Sequence, residues 1–244
     1  MNIKSHTVNE YTVTEYIGKQ IYVINDLFSK EDCTEFINLI NQLPKNNEYL
    51  KQGSNVQGYS NILQHQLAID DSKYYQFDVG FKTVNIVNKL NGLSHYDIRK
   101  KIEKLNTKFK KLYDIISKIN GGIQLQYNSN YIMRIITDAT RLHIDGATAF
   151  KLNTNDKSYM LNEKLKYCEN DIVNMNVNVV RELGTIIGLN GDYEGGELQF
   201  PEQDVSIKIK EGEIVCFPPY WTHPHKTTEL LNNTKRYTIT CWHG

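Results

Sequence analysis

The sequence has no long apolar run and no excess of charge of either sign. None of its apolar stretches approaches the roughly 18 residues that mark a membrane-spanning helix. Residues 1–16 also lack the apolar stretch of a secretory signal, so we expect a cytoplasmic protein without a membrane partner. Because 28 basic residues balance 28 acidic ones, we expect no nucleic-acid partner, which would require a surplus of positive charge.

Cysteine is scarce, and no linker rich in proline or glycine divides the chain. The four cysteines are far apart, at Cys33, Cys168, Cys216 and Cys241. They form no CxxC pair of the kind that zinc sites and thiol redox motifs use, and we interpret them as reduced thiols. With 40% apolar residues and no internal repeat, residues 1–244 are predicted to form a single domain.

The first half of the chain predicts helices. After a predicted strand at residues 21–28, Ser29 and Asp32 have the spacing of a capping box, and a helical apolar pattern follows. A longer apolar stripe runs from Asp97 to Lys118. Its opposite face is rich in lysine, which predicts a solvated surface, although a dimer seam or a surface for an acidic partner would have the same pattern. We therefore expect helical support over residues 29–120.

The second half predicts a β-rich core over residues 122–243. At least seven short strands are expected, and in one of them Val205, Ile207 and Ile209 share a face because strand side chains alternate. Helices followed by many short strands are typical of a sandwich or barrel with helices on one side. Residues 150–176 are polar and poorly patterned, and we expect a loop or lid that determines specificity.

Two residues of this β-rich half have the chemistry of metal ligands. His143 and Asp145 are two positions apart on a predicted strand, so their side chains point the same way. Together with a second histidine they would form the triad of two imidazoles and one carboxylate that binds Fe(II) in non-haem oxygenases. Taken alone the pair is a weak signal, because a surface His–Asp hydrogen bond would give the same spacing.

A second histidine and a cation follow near the C-terminus. His223 and His225 come after a predicted strand and a Pro-Pro turn, and Arg236 lies on the next strand. 2-Oxoglutarate binds a metal through its keto acid end, so its far carboxylate needs a cation, ideally a guanidinium. Arg236 fits that need, although without the triad it would be interpreted as a surface arginine.

Four sequence blocks together resemble the prolyl 4-hydroxylase-like branch of the Fe(II)/2-oxoglutarate-dependent oxygenases. The resemblance implies a mainly β (α+β) fold, the cupin-like double-stranded β-helix or jelly roll, with buttressing N-terminal helices. It also implies a dioxygenase that hydroxylates an unactivated C–H bond with Fe(II), 2-oxoglutarate and O2, with ascorbate as a candidate reductant. The blocks are IYVINDLFSKEDC, RLHIDG, LGTIIGLNGDYEGGELQFP and GEIVCFPPYWTHPHKTT…KRYTITCW.

The resemblance also implies roles for individual residues. His143, Asp145 and His225 would be the catalytic iron ligands, and Arg236 would bind the co-substrate. Arg236 and Trp242 keep the family's spacing, but His225 lies one residue further from Arg236 than is usual, so His223 is the alternative ligand. Thr240 shares a predicted face with Arg236 and is either a co-substrate contact or an ordinary inward threonine.

The sequence departs from the family's pattern at one position near the first histidine. The family often has a tyrosine where Met133 or Arg134 lies, so one co-substrate contact would come from elsewhere. Tyr131 and Met133 would line the pocket or pack in the core. The remaining histidines are expected at the surface; they are His6, His65, His95 and His243.

The substrate is the least determined feature. The resemblance favours a prolyl residue in a peptide or protein, with a free amino acid or another small molecule as the alternative. Halogenating relatives lack the carboxylate that Asp145 provides, and nucleic-acid demethylases have an arginine where Trp242 lies. Both activities are therefore disfavoured. A metal-binding jelly roll without catalysis would have no need of Arg236.

Overall fold

The computed structural model describes residues 2–42, 74–79, 95–121, 131–140, 142–146, 150–152, 177–179 and 181–244, together with residues 123 and 125. Two α-helices, α1 (Lys30–Gln42) and α2 (His95–Ile119), and one short 3-10 helix (Pro201–Gln203) lie in this part of the chain. The strands are β1 (Ile3–Val8), β2 (Tyr11–Tyr16), β3 (Ile21–Ile24), β4 (Tyr74–Val79), β5 (Tyr131–Ile136), β6 (Phe150–Leu152), β7 (Val177–Val179), β8 (Leu183–Gly188), β9 (Glu194–Gly195), β10 (Leu198–Phe200), β11 (Val205–Ile207), β12 (Ile214–Phe217), β13 (Lys226–Thr227), β14 (Leu230–Leu231) and β15 (Arg236–His243).

Helix α1 begins where the capping box predicts. The Ser29 hydroxyl accepts a hydrogen bond from the Asp32 backbone N–H at 3.2 Å, and the Asp32 carboxylate accepts one from the Ser29 N–H at 3.0 Å. These two bonds satisfy N–H groups that have no partner within the helix. The apolar residues that follow are buried, among them Cys33 and Phe36.

The lysine face of α2 contacts α1. Lys104 and Lys108 form ion pairs with the buried Asp32, and Lys101 and Lys104 form ion pairs with Glu35, each at 2.5–2.6 Å. The opposite, apolar face of α2 is buried, as the stripe predicts. These three lysines therefore hold the two helices together, whereas Lys100, Lys110 and Lys111 of the same helix are exposed, as the predicted solvated surface requires.

Two sheets enclose the interior of the fold. The larger sheet has the strand order β1-β2-β3-β12-β8-β15-β5-β4, and a smaller one has the order β11-β10-β13. Apolar side chains of both sheets, such as Phe200, Val205, Val215 and Phe217, pack together between them. The other face of the larger sheet packs against α1 and α2. This is the predicted double-stranded β-helix, or jelly roll, with helices supporting one face.

Several details differ from the sequence-based prediction. The β1–β2 hairpin was not predicted, and β4 lies within the range expected to be helical. Among the described residues after 122 there are eleven strands, which agrees with the at least seven expected; several are only two or three residues long. The predicted lid begins with β6, which pairs with β7; residues 153–176 lie outside the described part of the chain. Within that part, no helix is apolar enough over sufficient length to span a membrane.

Candidate metal centre and adjoining pocket

The two candidate histidines lie side by side because their backbones pair. His143 donates its N–H to the His225 carbonyl at 3.0 Å, and the reverse bond measures 2.8 Å. Asp145 lies two positions after His143 and therefore points to the same side. The three side chains bring one ligand atom each to within 4.8 Å of one another.

The carboxylate of Asp145 lies between the two imidazoles. The Nε2 of His143 is 3.7 Å from Asp145 Oδ1, and the Nε2 of His225 is 3.7 Å from Asp145 Oδ2. Two imidazole nitrogens and one carboxylate facing a common point, with their ligand atoms this close, are the donor set that suits Fe(II). The residues present therefore fit the metal that the sequence implies.

His223 is directed away from this cluster. Its Nε2 donates to the Lys19 carbonyl at 2.8 Å, and its Nδ1 lies 2.9 Å from the Thr222 hydroxyl. His225 instead uses Nδ1 to donate to the His223 carbonyl at 3.0 Å. That bond leaves Nε2 on the side that faces Asp145, where a metal-binding histidine presents its lone pair.

The surroundings of Asp145 favour its ionised form. Burial alone would raise the pKa of this carboxyl group, but His225, His143, the nearby indole N–H of Trp242 and the charge of Arg181 act in the opposite direction. The net effect is a pKa below the ordinary value for aspartate. Asp145 is therefore available as an anionic ligand at neutral pH.

Arg181 is a site residue that the sequence did not reveal. Its Nη1 donates to the Asp145 backbone carbonyl at 2.8 Å, and its guanidinium carbon lies 4.1 Å from the centre of the Trp242 ring. Arg181 and Trp242 thus contact both the backbone and the side chain of the same candidate ligand. No local signal marks Arg181, because its contacts join residues 36 and more positions apart.

Gly184 of β8 provides space directly beside the carboxylate. A Cβ atom at this position would lie 3.4 Å from Asp145 Oδ2 and 3.1 Å from the Phe217 ring. The Phe217 ring is fixed between the sheets, 4.7 Å from the His225 ring. A side chain at position 184 would therefore require the Phe217 ring, which packs against His225, to shift by a few tenths of an ångström.

Arg236 lies within the fold at the start of β15. Only 1% of its surface is exposed, and its Nη1 donates to the Thr227 hydroxyl at 3.1 Å and to the Gly196 carbonyl at 3.2 Å. A buried guanidinium is costly unless its charge is compensated. Arg236 is therefore a buried residue, and the surface arginine that the sequence left as an alternative is excluded.

A row of side chains leads along β15 from Arg236 to the metal cluster. Thr238, Thr240 and Trp242 share the face of Arg236 because strand residues alternate, and Trp242 contacts Asp145. The buried Thr238 hydroxyl has no hydrogen-bond partner among the described residues. The Thr240 hydroxyl accepts a hydrogen bond from Arg134 Nη1 at 3.2 Å.

Three other residues discussed from the sequence lie on the opposite face of the larger sheet. Tyr131 stacks on Phe109 of α2 at 5.4 Å, and Met133 is fully buried in the helix-facing core. His243, expected at the surface, is completely buried. Its ring lies 2.8 Å from the Tyr113 hydroxyl and 3.0 Å from the Thr185 hydroxyl, because β15 runs through the middle of the sheet and packs on α2.

Comparisons with known proteins agree with this geometry. Residues 140–244 match the family model of the 2OG-Fe(II) oxygenase superfamily, and the matched segment contains all three members of the cluster as well as Arg236. No curated protein sequence matches the chain.

The fold also has relatives among solved structures. A prolyl hydroxylase from Trichoplax adhaerens, solved with a hypoxia inducible factor peptide fragment, aligns with a TM-score of 0.54 at 15% identity, over 93% of this chain and 84% of that one. A viral collagen prolyl hydroxylase from Paramecium Bursaria Chlorella virus-1 aligns with a TM-score of 0.49 at 15% identity, over 92% and 96%. A prolyl-4-hydroxylase from Pseudomonas putida aligns with 0.49 at 11% identity, over 93% and 92%.

Proposed function

We propose that this protein, a dioxygenase of the 2OG-Fe(II) oxygenase superfamily, hydroxylates an unactivated C–H bond, first of all in a prolyl residue of a peptide or protein. The observation that carries the proposal is the convergence of His143, Asp145 and His225, together with a buried Arg236 on the strand whose Trp242 contacts Asp145. The three convergent groups suit a metal, and the arginine suits the co-substrate that this metal would use.

The roles of the ligand residues follow from their contacts. His143 and His225 would each donate the Nε2 lone pair, and Asp145 would donate a carboxylate oxygen and offset part of the metal's charge. When bound, Fe(II) supplies the activation of O2 that amino-acid side chains lack. In the overall reaction, 2-oxoglutarate, O2 and R–H give succinate, CO2 and R–OH, with ascorbate as a candidate reductant that keeps the metal ferrous.

The far carboxylate of 2-oxoglutarate would be bound at the start of β15. Arg236 supplies the guanidinium, and Thr227 already holds its Nη1. We add Thr238 to the co-substrate residues because its buried hydroxyl lies on the same face and has no partner in the described structure. Thr240, for which the sequence left a co-substrate contact and an ordinary inward threonine as alternatives, would act there together with Arg134, to which it is hydrogen-bonded.

A peptide is the first substrate class to test. The closing block of the sequence resembles prolyl hydroxylases, and a protein of the same fold has been solved with a peptide fragment. We propose that residues 1–244 act as one domain and that residues 150–176 contribute to the choice of substrate. A free amino acid or another small molecule is the alternative substrate.

Succinate release tests this function. Protein prepared without oxygen would receive Fe(II), 2-oxoglutarate and O2, with proline-containing peptides in one series and free amino acids in another. We expect succinate that depends on Fe(II), with a matching gain of one oxygen atom in a peptide. Asp145→Ala should abolish both products, whereas Lys110→Gln, on an exposed part of α2, should not. Absence of both succinate and iron binding in the wild type would refute the proposal.

A further inference from the structure

A second arginine lies on the wall of the same pocket. Arg134 of β5 pairs directly with Thr238 of β15 across the larger sheet. Paired residues of neighbouring strands project to the same side, so Arg134 shares the face of Arg236 and Thr240. Its Nη1 donates to the Thr240 hydroxyl, and the guanidinium therefore reaches from the level of Thr238 toward the Trp242 end of β15.

The location of this guanidinium relative to the metal cluster follows from the row on β15. Alternate residues of a strand are about 6.6 Å apart, and the row runs from Arg236 past Thr238 and Thr240 to Trp242, which contacts Asp145. Thr240 lies on this row between Arg236 and Trp242, and Arg134 is hydrogen-bonded to it. Arg134 is therefore placed further than the backbone of Arg236 toward the Trp242 end of the row.

We propose that Arg134 is a second cationic contact for 2-oxoglutarate and binds the carboxylate next to the keto group, while Arg236 binds the far carboxylate. This inference rests on the proposed function. A guanidinium presents a planar set of N–H donors that matches a carboxylate, and the Thr240 hydroxyl fixes its direction. The unpartnered Thr238 hydroxyl, buried directly opposite Arg134, is independent support for a polar ligand at this level of the pocket.

Two ligands that differ by one carboxylate separate the roles of the two arginines. 2-Oxoglutarate has both carboxylates, whereas 2-oxopentanoate keeps the keto acid end and lacks the far one. Each would be titrated without oxygen into the Fe(II)-loaded protein, with binding followed by calorimetry and by the absorbance of the metal–keto acid chelate. Neither readout requires turnover.

The expected pattern is specific to each arginine. Arg134→Gln should weaken both ligands by about ten- to a hundred-fold, as expected for a lost hydrogen bond to a charged group. Arg236→Gln should weaken 2-oxoglutarate by a similar factor and leave 2-oxopentanoate nearly unchanged. Lys110→Gln, which removes one positive charge from the exposed side of α2, should alter neither affinity.

Two milder variants keep the test valid if Arg134→Gln does not fold. Arg134→Lys retains the charge and should recover part of the affinity for both ligands. Thr240→Val removes the hydroxyl that orients the guanidinium and should also weaken both. Melting temperatures and circular dichroism would establish that each variant is folded.

Two results would overturn the inference: Arg134 variants that bind both ligands as the wild type does, or that lose affinity for 2-oxoglutarate alone. In the first case, failure to convert a peptide would assign Arg134 to the substrate. In both cases, wild-type binding of 2-oxoglutarate leaves the proposed function intact, whereas a wild type that binds neither ligand refutes that function.

Discussion

The guanidinium of Arg181 lies 4.1 Å from the centre of the Trp242 ring, and both residues contact Asp145. A cation over an indole face is attracted by the negative charge of the ring face. Arg181 also donates to the Asp145 carbonyl, while Trp242 contacts the side chain. The pair therefore fixes the backbone and the carboxylate of one candidate ligand together.

Replacing Arg181 should weaken metal binding without unfolding the protein. Residues that orient a metal ligand typically contribute about ten- to a hundred-fold to affinity. We expect Arg181→Met to lose metal affinity by a factor in this range in Mn(II) or Fe(II) titrations. Arg181→Lys should lose less affinity because it keeps the charge. Equal metal affinity in Arg181→Met and the wild type would show that the contact does not orient Asp145.

Thr238→Val should stabilise the ligand-free protein against unfolding and weaken the binding of 2-oxoglutarate. The Thr238 hydroxyl is buried without a partner in the described structure, and such a group costs about 1–3 kcal/mol. An isosteric valine removes that cost, so the melting temperature should rise while the dissociation constant for 2-oxoglutarate increases. Thr185→Val is the contrasting control, because the Thr185 hydroxyl donates to the Cys241 carbonyl and its loss should be destabilising. A rise in the dissociation constant with no gain in stability would contradict the account of Thr238.

Asp32→Asn should destabilise the contact between the two helices. Burial tends to raise the pKa of Asp32, but hydrogen bonds with Lys104, Lys108 and Ser29 and the charge of Lys108 hold it far below the ordinary value. The substitution leaves two lysines without their shared anion. Because these lysines are partly exposed, we expect a loss of about 1–3 kcal/mol in urea unfolding. Glu31→Gln, at an exposed position of the same helix, is the matched control, and an equal loss there would refute this interpretation.

His243 should make the protein sensitive to mild acid. Burial lowers its pKa to about 3, from 6.5, so the unfolded chain takes up a proton at a pH where the folded chain does not. The neutral side chain therefore contributes fully above pH 6.5, and stability is lost as the pH falls from 6.5 toward 3, by up to about 1.4 kcal/mol per pH unit. His243→Gln should flatten this part of the profile of unfolding free energy against pH. An unchanged slope would exclude His243 as its source.

Local signals in the sequence predicted the parts of the fold that depend on neighbouring residues. The capping box at Ser29 and the apolar stripe of α2 predicted both helices, and alternation predicted that His143 and Asp145 point the same way. The choice between His223 and His225 depended on partners such as the Lys19 carbonyl, 204 positions away. Sequence spacing contains no information on such a contact.

The predictions that were wrong or missed also concern contacts between residues that are distant in sequence. His243 was expected at the surface because it is the penultimate residue, but β15 lies between β5 and β8 in the sheet, and so its last residues are buried. Arg181 carried no motif, since its importance comes from Asp145 and Trp242, which are distant in sequence. The β1–β2 hairpin was missed because β1 has mostly exposed residues and gives no apolar alternation to detect.

The most direct test of the central claim is Fe(II) binding in the presence of 2-oxoglutarate, measured without oxygen in His225→Ala and His223→Ala. The account predicts that His225→Ala loses the metal and the absorbance of the metal–keto acid chelate. His223→Ala should keep both, because the His223 ring is hydrogen-bonded to Lys19 and Thr222. Retention of the chelate in His225→Ala together with its loss in a folded His223→Ala would contradict the proposed triad of His143, Asp145 and His225.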